Sequence, residues 1–177
     1  MGMKTYLVVR SHGLIQHLLR PEDYERLIKD EVTLDQLGYL DEEAPLEKKI
    51  ESISARFIER MRFLEKVGGS LAPFFTAFLD YLELSNIKFK LRSLRGGGGL
   101  EVYYYPYSHF VPLKELRKVS SEGELWELIR RTPYFSIARR RFELTRVQLQ
   151  KTECMLESNY YAYLKSSARS SKVNKGT

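Results

Sequence analysis

From Leu46 to Val67 an apolar residue recurs every three or four positions: Leu46, Ile50, Ile53, Phe57, Met61, Leu64 and Val67. That spacing follows the 3.6-residue turn of an α-helix and gathers these side chains into one stripe. A helix six turns long with one oily face has to be covered by other elements of the chain, and this requirement constrains the fold more than any other feature. Pro45 sits where a helix start tolerates a missing N–H, and Gly68-Gly69 stand where a helix end asks for a left-handed residue.

The covering elements also read as helices. Phe74, Phe75, Phe78, Leu79 and Leu82 give Leu71–Leu82 a broad apolar face. A break near Ser85 is expected, followed by a shorter helix carrying Ile87, Leu91 and Leu94. Pro21–Lys29 and Leu34–Leu40 read as short helices, and residues 4–12 fit either a helix start or a strand. Val102–Phe110 reads as extended, with Pro106 and Pro112 arguing against a long strand. Ser121-Glu122-Gly123-Glu124 has the form of a capping box. A long helix is expected from about Ile137 to Leu164, with Phe142, Leu149, Leu156, Tyr160 and Tyr163 on one side. The tail SSARSSKVNKGT is small, polar and basic, and reads as disordered.

One pattern occurs twice. Thr33-Leu34-Asp35-Gln36-Leu37-Gly38-Tyr39-Leu40 precedes Pro45, and Ser121-Glu122-Gly123-Glu124-Leu125-Trp126-Glu127-Leu128 precedes Pro133, with the same spacing. A capped short helix, a proline turn and a long helix therefore repeat, as modules that share a buried face do. The expected class is all-α, built of helical modules with one long amphipathic helix each, about one and a half copies of a repeated unit. The expected boundaries are a first module at 1–95, a Gly/Tyr-rich connector at 96–111, a partial second module at 112–165 and a tail at 166–177.

Composition narrows the function. The net charge of +6 is uneven. Residues 1–85 hold 11 Lys+Arg and 15 Asp+Glu, a balance of −4, and residues 86–177 hold 18 and 8, a balance of +10. The basic half suits nucleic acid, anionic lipid headgroups or an acidic protein surface, or simply solvated helix faces. One cysteine, Cys154, precludes an internal disulfide and suits a reducing compartment, and its place on a helix reads as buried and inert. No apolar run reaches the length of a membrane span, and no charged start leads into a signal-type core.

No chemistry-bearing motif stands out. Gly96–Gly99 follow a helix and precede Leu-Glu-Val-Tyr, whereas a phosphate loop needs a strand before and a Lys-Ser/Thr helix start after. They read as a flexible connector. His12, His17 and His109 lack metal-ligand spacing, and Asp41-Glu42-Glu43 lacks a partnering base. Neither a cofactor nor an active site is expected. Arg139-Arg140-Arg141 and the tyrosines at 103, 104, 105 and 107 fit a small basic helical nucleic-acid-binding module, in which cations meet phosphate and rings stack on bases. The simpler reading packs those tyrosines against a helix.

Three ordered segments resemble the family of central-rotor connector subunits found in archaeal and V-type rotary ATPases, termed C in the archaeal enzymes and d in the eukaryotic ones. PFFTAFLDYLELSNIKFKLRSL is similar to a family signature in which Asn86, Ile87, Leu91 and Arg92 take the matching positions. YLVVRSHGLIQHLLRPEDYERLI resembles the family's opening, through Leu18, Leu19, Asp23 and Tyr24. SEGELWELIRRTPYF resembles a recurring Leu-x-x-Leu helix leading into Thr132-Pro133-Tyr134. The resemblance spans roughly residues 4–165. It implies a non-catalytic, all-α central-rotor component of an A-type ATP synthase or V-type ATPase, peripheral on the cytoplasmic side of the membrane. Such a component transmits torque between the central stalk and the ion-translocating ring. The family carries three related modules, and this chain holds one and the beginning of a second. Charge alone nominates Arg10, Lys88, Lys90, Arg92, Arg139, Arg140 and Arg141 for partner contacts.

Overall fold

The computed structural model describes residues 5–6, 8–9, 12–13, 19–38, 43–96, 103–135 and 146–171. Among them the chain is all-α, and no strand is present. The helices are α1 (Pro21–Ile28), α2 (Leu46–Val67), α3 (Ala72–Arg95), α4 (Leu113–Lys118), α5 (Glu122–Ile129) and α6 (Arg146–Ser170). Short 3-10 turns occupy Gly69–Leu71 and Pro133–Phe135. Of the ambiguous opening segment, the described residues Thr5, Tyr6, Val8, Val9, His12 and Gly13 are helical.

α2 and α3 form a hairpin, but it covers the first apolar stripe only in part. Leu64 is buried, whereas Ile53 and Phe57, expected to face a core, are exposed because α3 lies toward Ile58 and Met61 of α2. Pro45 caps α2, and Gly68 ends it. Gly69 takes the left-handed conformation at φ 53°. A Cβ on Gly68 would lie 2.7 Å from the Leu64 carbonyl oxygen and 3.1 Å from the Phe75 ring, so only glycine fits this close turn.

α3 is the central element. Ala77, Leu79, Leu84, Ile87 and Leu91 on it are fully buried. The expected break near Ser85 does not occur, and α3 runs unbroken through it. Ser85 Oγ donates to the Tyr81 carbonyl at 2.8 Å, so its hydroxyl is satisfied within the helix. Asn86 turns its side-chain amide outward to the 103–107 segment, where it does not compete with the helical backbone.

The main core joins Leu84, Ile87 and Leu91 of α3 to Val111, Leu116, Leu125, Ile129, Tyr134, Leu156 and Tyr160. A smaller cluster of Ile58, Leu79 and Tyr107, with Met61 and Leu82 beside it, lies between α2 and α3. The core therefore crosses the boundary drawn at 95/96, because the last turns of α3 are the floor on which Val111, Leu116, Leu125, Ile129, Tyr134, Leu156 and Tyr160 pack.

Local signals are met in part. Ser121 Oγ accepts from the Glu124 N–H at 3.3 Å, while the Glu124 carboxylate takes the N–H of Ser120 at 2.8 Å. The box is thus closed one residue upstream of its usual place. That backbone bond, with another from the Ser120 hydroxyl, holds the Glu124 carboxyl below its ordinary pKa. At the equivalent Thr33, Thr33 and Gln36 exchange side-chain and backbone bonds at 3.1 and 3.2 Å. Yet 34–38 form only a turn, not the expected helix, because Gly38 leaves the helical region at φ 72°. Residues 39–40 lie outside the described residues.

The expected long helix is described from Arg146, since 136–145 lie outside the described residues. It also runs past Leu164 to Ser170, into the stretch read as disordered. Ser167 Oγ and Ser171 Oγ bond the carbonyls of Tyr163 and Ser167 at 3.1 and 2.8 Å, and both serines are buried. Small side chains here permit close packing instead of signalling disorder. Residues 172–177 lie outside the described residues, as do Gly97–Gly99.

Gly68→Ala is expected to lower unfolding free energy by about 1–3 kcal/mol, since the added methyl meets backbone that cannot swing away. Urea unfolding monitored by circular dichroism measures this, and a neutral outcome would show that the hairpin turn is more pliable than described.

Candidate functional site: a buried carboxylate ladder and an exposed aromatic face

Asp80, Glu83 and Asn86 lie one turn apart along α3 and are at most 1% exposed. Burying two carboxylates is costly unless hydrogen-bond donors replace the lost water. Here they do. Glu83 Oε1 accepts the backbone N–H groups of His109, Phe110 and Val111 at 2.6, 2.9 and 2.9 Å. Its Oε2 accepts the Tyr134 hydroxyl at 2.9 Å. Asp80 accepts the hydroxyls of Tyr107 and Tyr163 at 2.8 and 2.9 Å, and His109 Nδ1 lies 3.0 Å from Oδ1. Asn86 brackets Tyr105, donating to its carbonyl at 2.9 Å and accepting its N–H at 2.8 Å.

This ladder fixes the segment 103–111, which has no regular secondary structure of its own to satisfy its backbone. It also ties α6 into the same knot. Tyr163 comes from α6, and Asn159 of α6 donates to the Tyr134 carbonyl at 2.6 Å. Burial is the main cause that raises the phenolic pKa values of Tyr107, Tyr134, Tyr160 and Tyr163, and the adjacent Asp80 or Glu83 charge adds to it.

The charge-nominated residues have mixed fates. Lys88 is ion-paired with Glu157. Arg92 makes two bonds to Glu153 at 2.6 and 2.7 Å, which raise its pKa further. Lys90 donates to the Arg117 carbonyl at 3.0 Å. Lys88 and Arg92 thus hold α3 to α6, and Lys90 holds α3 to α4. Arg10 and Arg139, Arg140 and Arg141 lie outside the described residues. The positions that carried the family resemblance are mostly structural. Ile87 and Leu91 are core, and Thr132 is buried with its hydroxyl on the Ile129 carbonyl at 2.7 Å.

The tyrosine cluster is likewise engaged. Tyr103 donates to Glu47 at 3.0 Å, Tyr104 lies under the Arg117 guanidinium, and Tyr107 is buried on Asp80. These contacts use the rings and hydroxyls that would otherwise face unpaired bases. Cys154 is exposed on α6, contrary to the expectation of a buried thiol. The helix turns Thr152, Glu153 and Leu156 inward and leaves position 154 outside.

No group of three or more metal-ligating side chains occurs among the described residues. Within them no helix is long and apolar enough to cross a membrane. What remains as a candidate surface is aromatic. Ile53 and Phe57 of α2, Phe78 and Tyr81 of α3 and Tyr161 of α6 are each 40–54% exposed. Phe57 and Phe74 lie 6.5 and 6.3 Å from Phe78, and Tyr160 lies 5.4 and 5.3 Å from Tyr81 and Tyr161. The sequence did not single out this face, although the wide apolar arc of Leu71–Leu82 exceeds what one neighbouring helix covers.

No family model, curated protein or solved structure matches the chain.

Glu83→Ala strands three N–H groups and a phenol, and is expected to destabilise by about 3–5 kcal/mol. Tyr134→Phe removes one charge-assisted bond, for about 1.5–3 kcal/mol. Equilibrium urea unfolding separates the two, and equal small losses would refute the ladder.

The raised phenols also set an alkaline limit. An unfolded tyrosine ionises near pH 10, and these four do so higher when folded. Their contribution is complete below about pH 10 and is lost above it, by up to about 1.4 kcal/mol per pH unit for each phenol. Phenolate absorbance should therefore stop short of all 12 tyrosines until helical circular dichroism collapses. Smooth titration of all of them in the folded chain would contradict this.

Proposed function

We propose that the chain is a non-catalytic connector that joins the central stalk to the membrane ring of an A-type or V-type rotary ATPase and passes torque between them. The exposed aromatic face over α2, α3 and α6 is the observation that carries the connecting role. Its rings form two clusters, Phe57, Phe74 and Phe78 in one and Tyr81, Tyr160 and Tyr161 in the other, and apolar patches left on a folded chain are characteristic of protein–protein interfaces. Large aromatic side chains are also the residues that dominate such interfaces. The ordered resemblance of its three segments to the rotor-connector family supplies the particular assembly. A torque-bearing body has to resist shear between its helices, and a ladder of buried charge-assisted bonds from α3 to α6 serves that purpose. The engagement of Tyr103, Tyr104 and Tyr107 in internal contacts favours this reading over a small basic helical nucleic-acid-binding module.

Affinity purification of the tagged chain from native membranes in gentle detergent should recover stalk and ring proteins. Phe57→Ser/Phe78→Ser should reduce that recovery at least about tenfold while the helical content stays unchanged, because both rings lie outside the buried core and are 40% and 42% exposed. Recovery of no rotary-ATPase component would refute the assignment. Undiminished recovery with the double variant would refute the role of the aromatic face.

A further inference from the structure

The aromatic face has a floor, two walls and a charge. α3 packs against α2 on one side and against α6 on the other, and between them it presents Phe74, Phe78, Tyr81 and Ser85. Spacings of four, three and four residues make a seam of the kind by which one helix receives another. Phe57 of α2 walls this seam at Phe78, and Tyr160 and Tyr161 of α6 wall it at Tyr81. The seam runs three turns, about 16 Å at about 1.5 Å per residue. A chain laid along it meets only the middles of helices, whose backbone groups are already bonded. Its own N–H and C=O groups therefore have to be satisfied from within, which a helix does and a strand or irregular loop does not.

Charge decides what kind of helix fits. Lys49, Ile53, Arg56, Phe57 and Arg60 share one flank of α2, at spacings of three and four. The glutamates of α2 lie elsewhere. Glu47, Glu51 and Glu59 line the hollows that α2 forms with Tyr103, Tyr104 and Pro106, and Glu65 accepts the Thr76 hydroxyl at 2.6 Å. On α6, Lys165 is exposed one turn beyond Tyr161, while Glu153 and Glu157 are taken by Arg92 and Lys88. The acids of α3, Asp80 and Glu83, are buried in the ladder. Beside the seam, α2, α3 and α6 thus leave cations without a free carboxylate. Arg60 and Lys165, one on each wall, have no ion-pair partner among the described residues.

We infer that this face receives an acidic amphipathic helix of a partner protein. Its apolar stripe lies on Phe74, Phe78 and Tyr81, and its carboxylates reach Arg60 and Lys165. The inference rests on the aromatic face being a contact surface and names the chemistry of what that surface takes. A lipid bilayer is the poorer fit, because the floor lies between α2 and α6 and a flat surface would meet those two helices first.

The probe is a fluorescein-labelled helical peptide of about 18 residues, long enough to span the seam with a turn to spare at each end. It carries leucine at heptad positions a and d and glutamate at e and g, and a control peptide has lysine for every glutamate. Anisotropy at low salt, with the purified chain, should show saturable binding of the glutamate peptide. The lysine peptide should bind at least about tenfold more weakly, as the loss of two exposed charge pairs predicts. Arg60→Glu/Lys165→Glu should reverse that order, and Phe57→Ser/Phe78→Ser should remove binding of either peptide, with circular dichroism verifying that the helices persist. Equal affinity for the two peptides, or an order that Arg60→Glu/Lys165→Glu leaves unchanged, would overturn the proposal. If Phe57→Ser/Phe78→Ser then still lowered recovery of membrane partners, the face would stand as a contact surface and only the acidic helix would fall. Self-association of the chain that the ring substitutions abolish would place a second copy on the face, and recruitment to phosphatidylserine vesicles that they abolish would place lipid there. Either result, in place of peptide binding, would also overturn the proposal.

Discussion

Two carboxylates buried on one helix organise this protein. Asp80 and Glu83 exclude water, and among the described residues neither has a lysine or arginine as a direct partner; His109 supplies the ring nitrogen beside Asp80. Neutral donors supply most of the bonds, three from the backbone and three from tyrosine hydroxyls. A buried charge satisfied this way is a poor source of net stability but a strong specifier of arrangement, because any other register strands a charge in an apolar core. Irregular segment 103–111 has one place to go. The helix that supplies Tyr163 is aligned by the same requirement.

The ladder also explains the division of surfaces. The outer charges Lys88, Arg92 and Lys90 of α3 reach α6 and α4, so the basic character of the second half is partly internal. Toward α2, α3 buries Leu79 against Ile58 and Tyr107, with Met61 and Leu82 beside them. The cluster between α2 and α3 is correspondingly small, and Ile53, Phe57 and Phe78 stay outside. One flank of α2 is thus apolar and open, while the other faces a tyrosine-lined groove across three glutamates.

Much of the scaffold could be read from residues. The helix from Leu46 to Val67, the stop at Gly68-Gly69 and the serine cap at Ser121 are local effects, set within a turn or two of chain, and they occur as expected. The apolar stripe of that helix, by contrast, is covered only in part, with Leu64 buried and Ile53 and Phe57 exposed. The fold departs from expectation where a distant partner or close packing changes the meaning of a residue. Ser85 reads as a break, but its hydroxyl bonds the preceding turn. Ser167 and Ser171 read as a disordered tail, but they are packed. The tyrosines that adjoin the glycine run are held by a helix some 20 residues upstream, as with Asn86 and Tyr105 at a separation of 19. A signal for the ladder was present, since Asp80 falls on the same helical stripe as Leu84, Ile87 and Leu91. An acid in line with core leucines has to find donors.

By itself the sequence determined that the chain is helical, where α2 begins and ends, and where α5 starts. Those properties follow from periodicity and from the backbone needs of proline, glycine and serine, which act over a few residues. Only the tertiary structure decided which donors meet Asp80 and Glu83, which cations are internal and which aromatic rings remain in solvent. Those outcomes depend on side chains up to 83 residues apart, as Tyr163 is from Asp80, and no local pattern encodes a pairing over that distance.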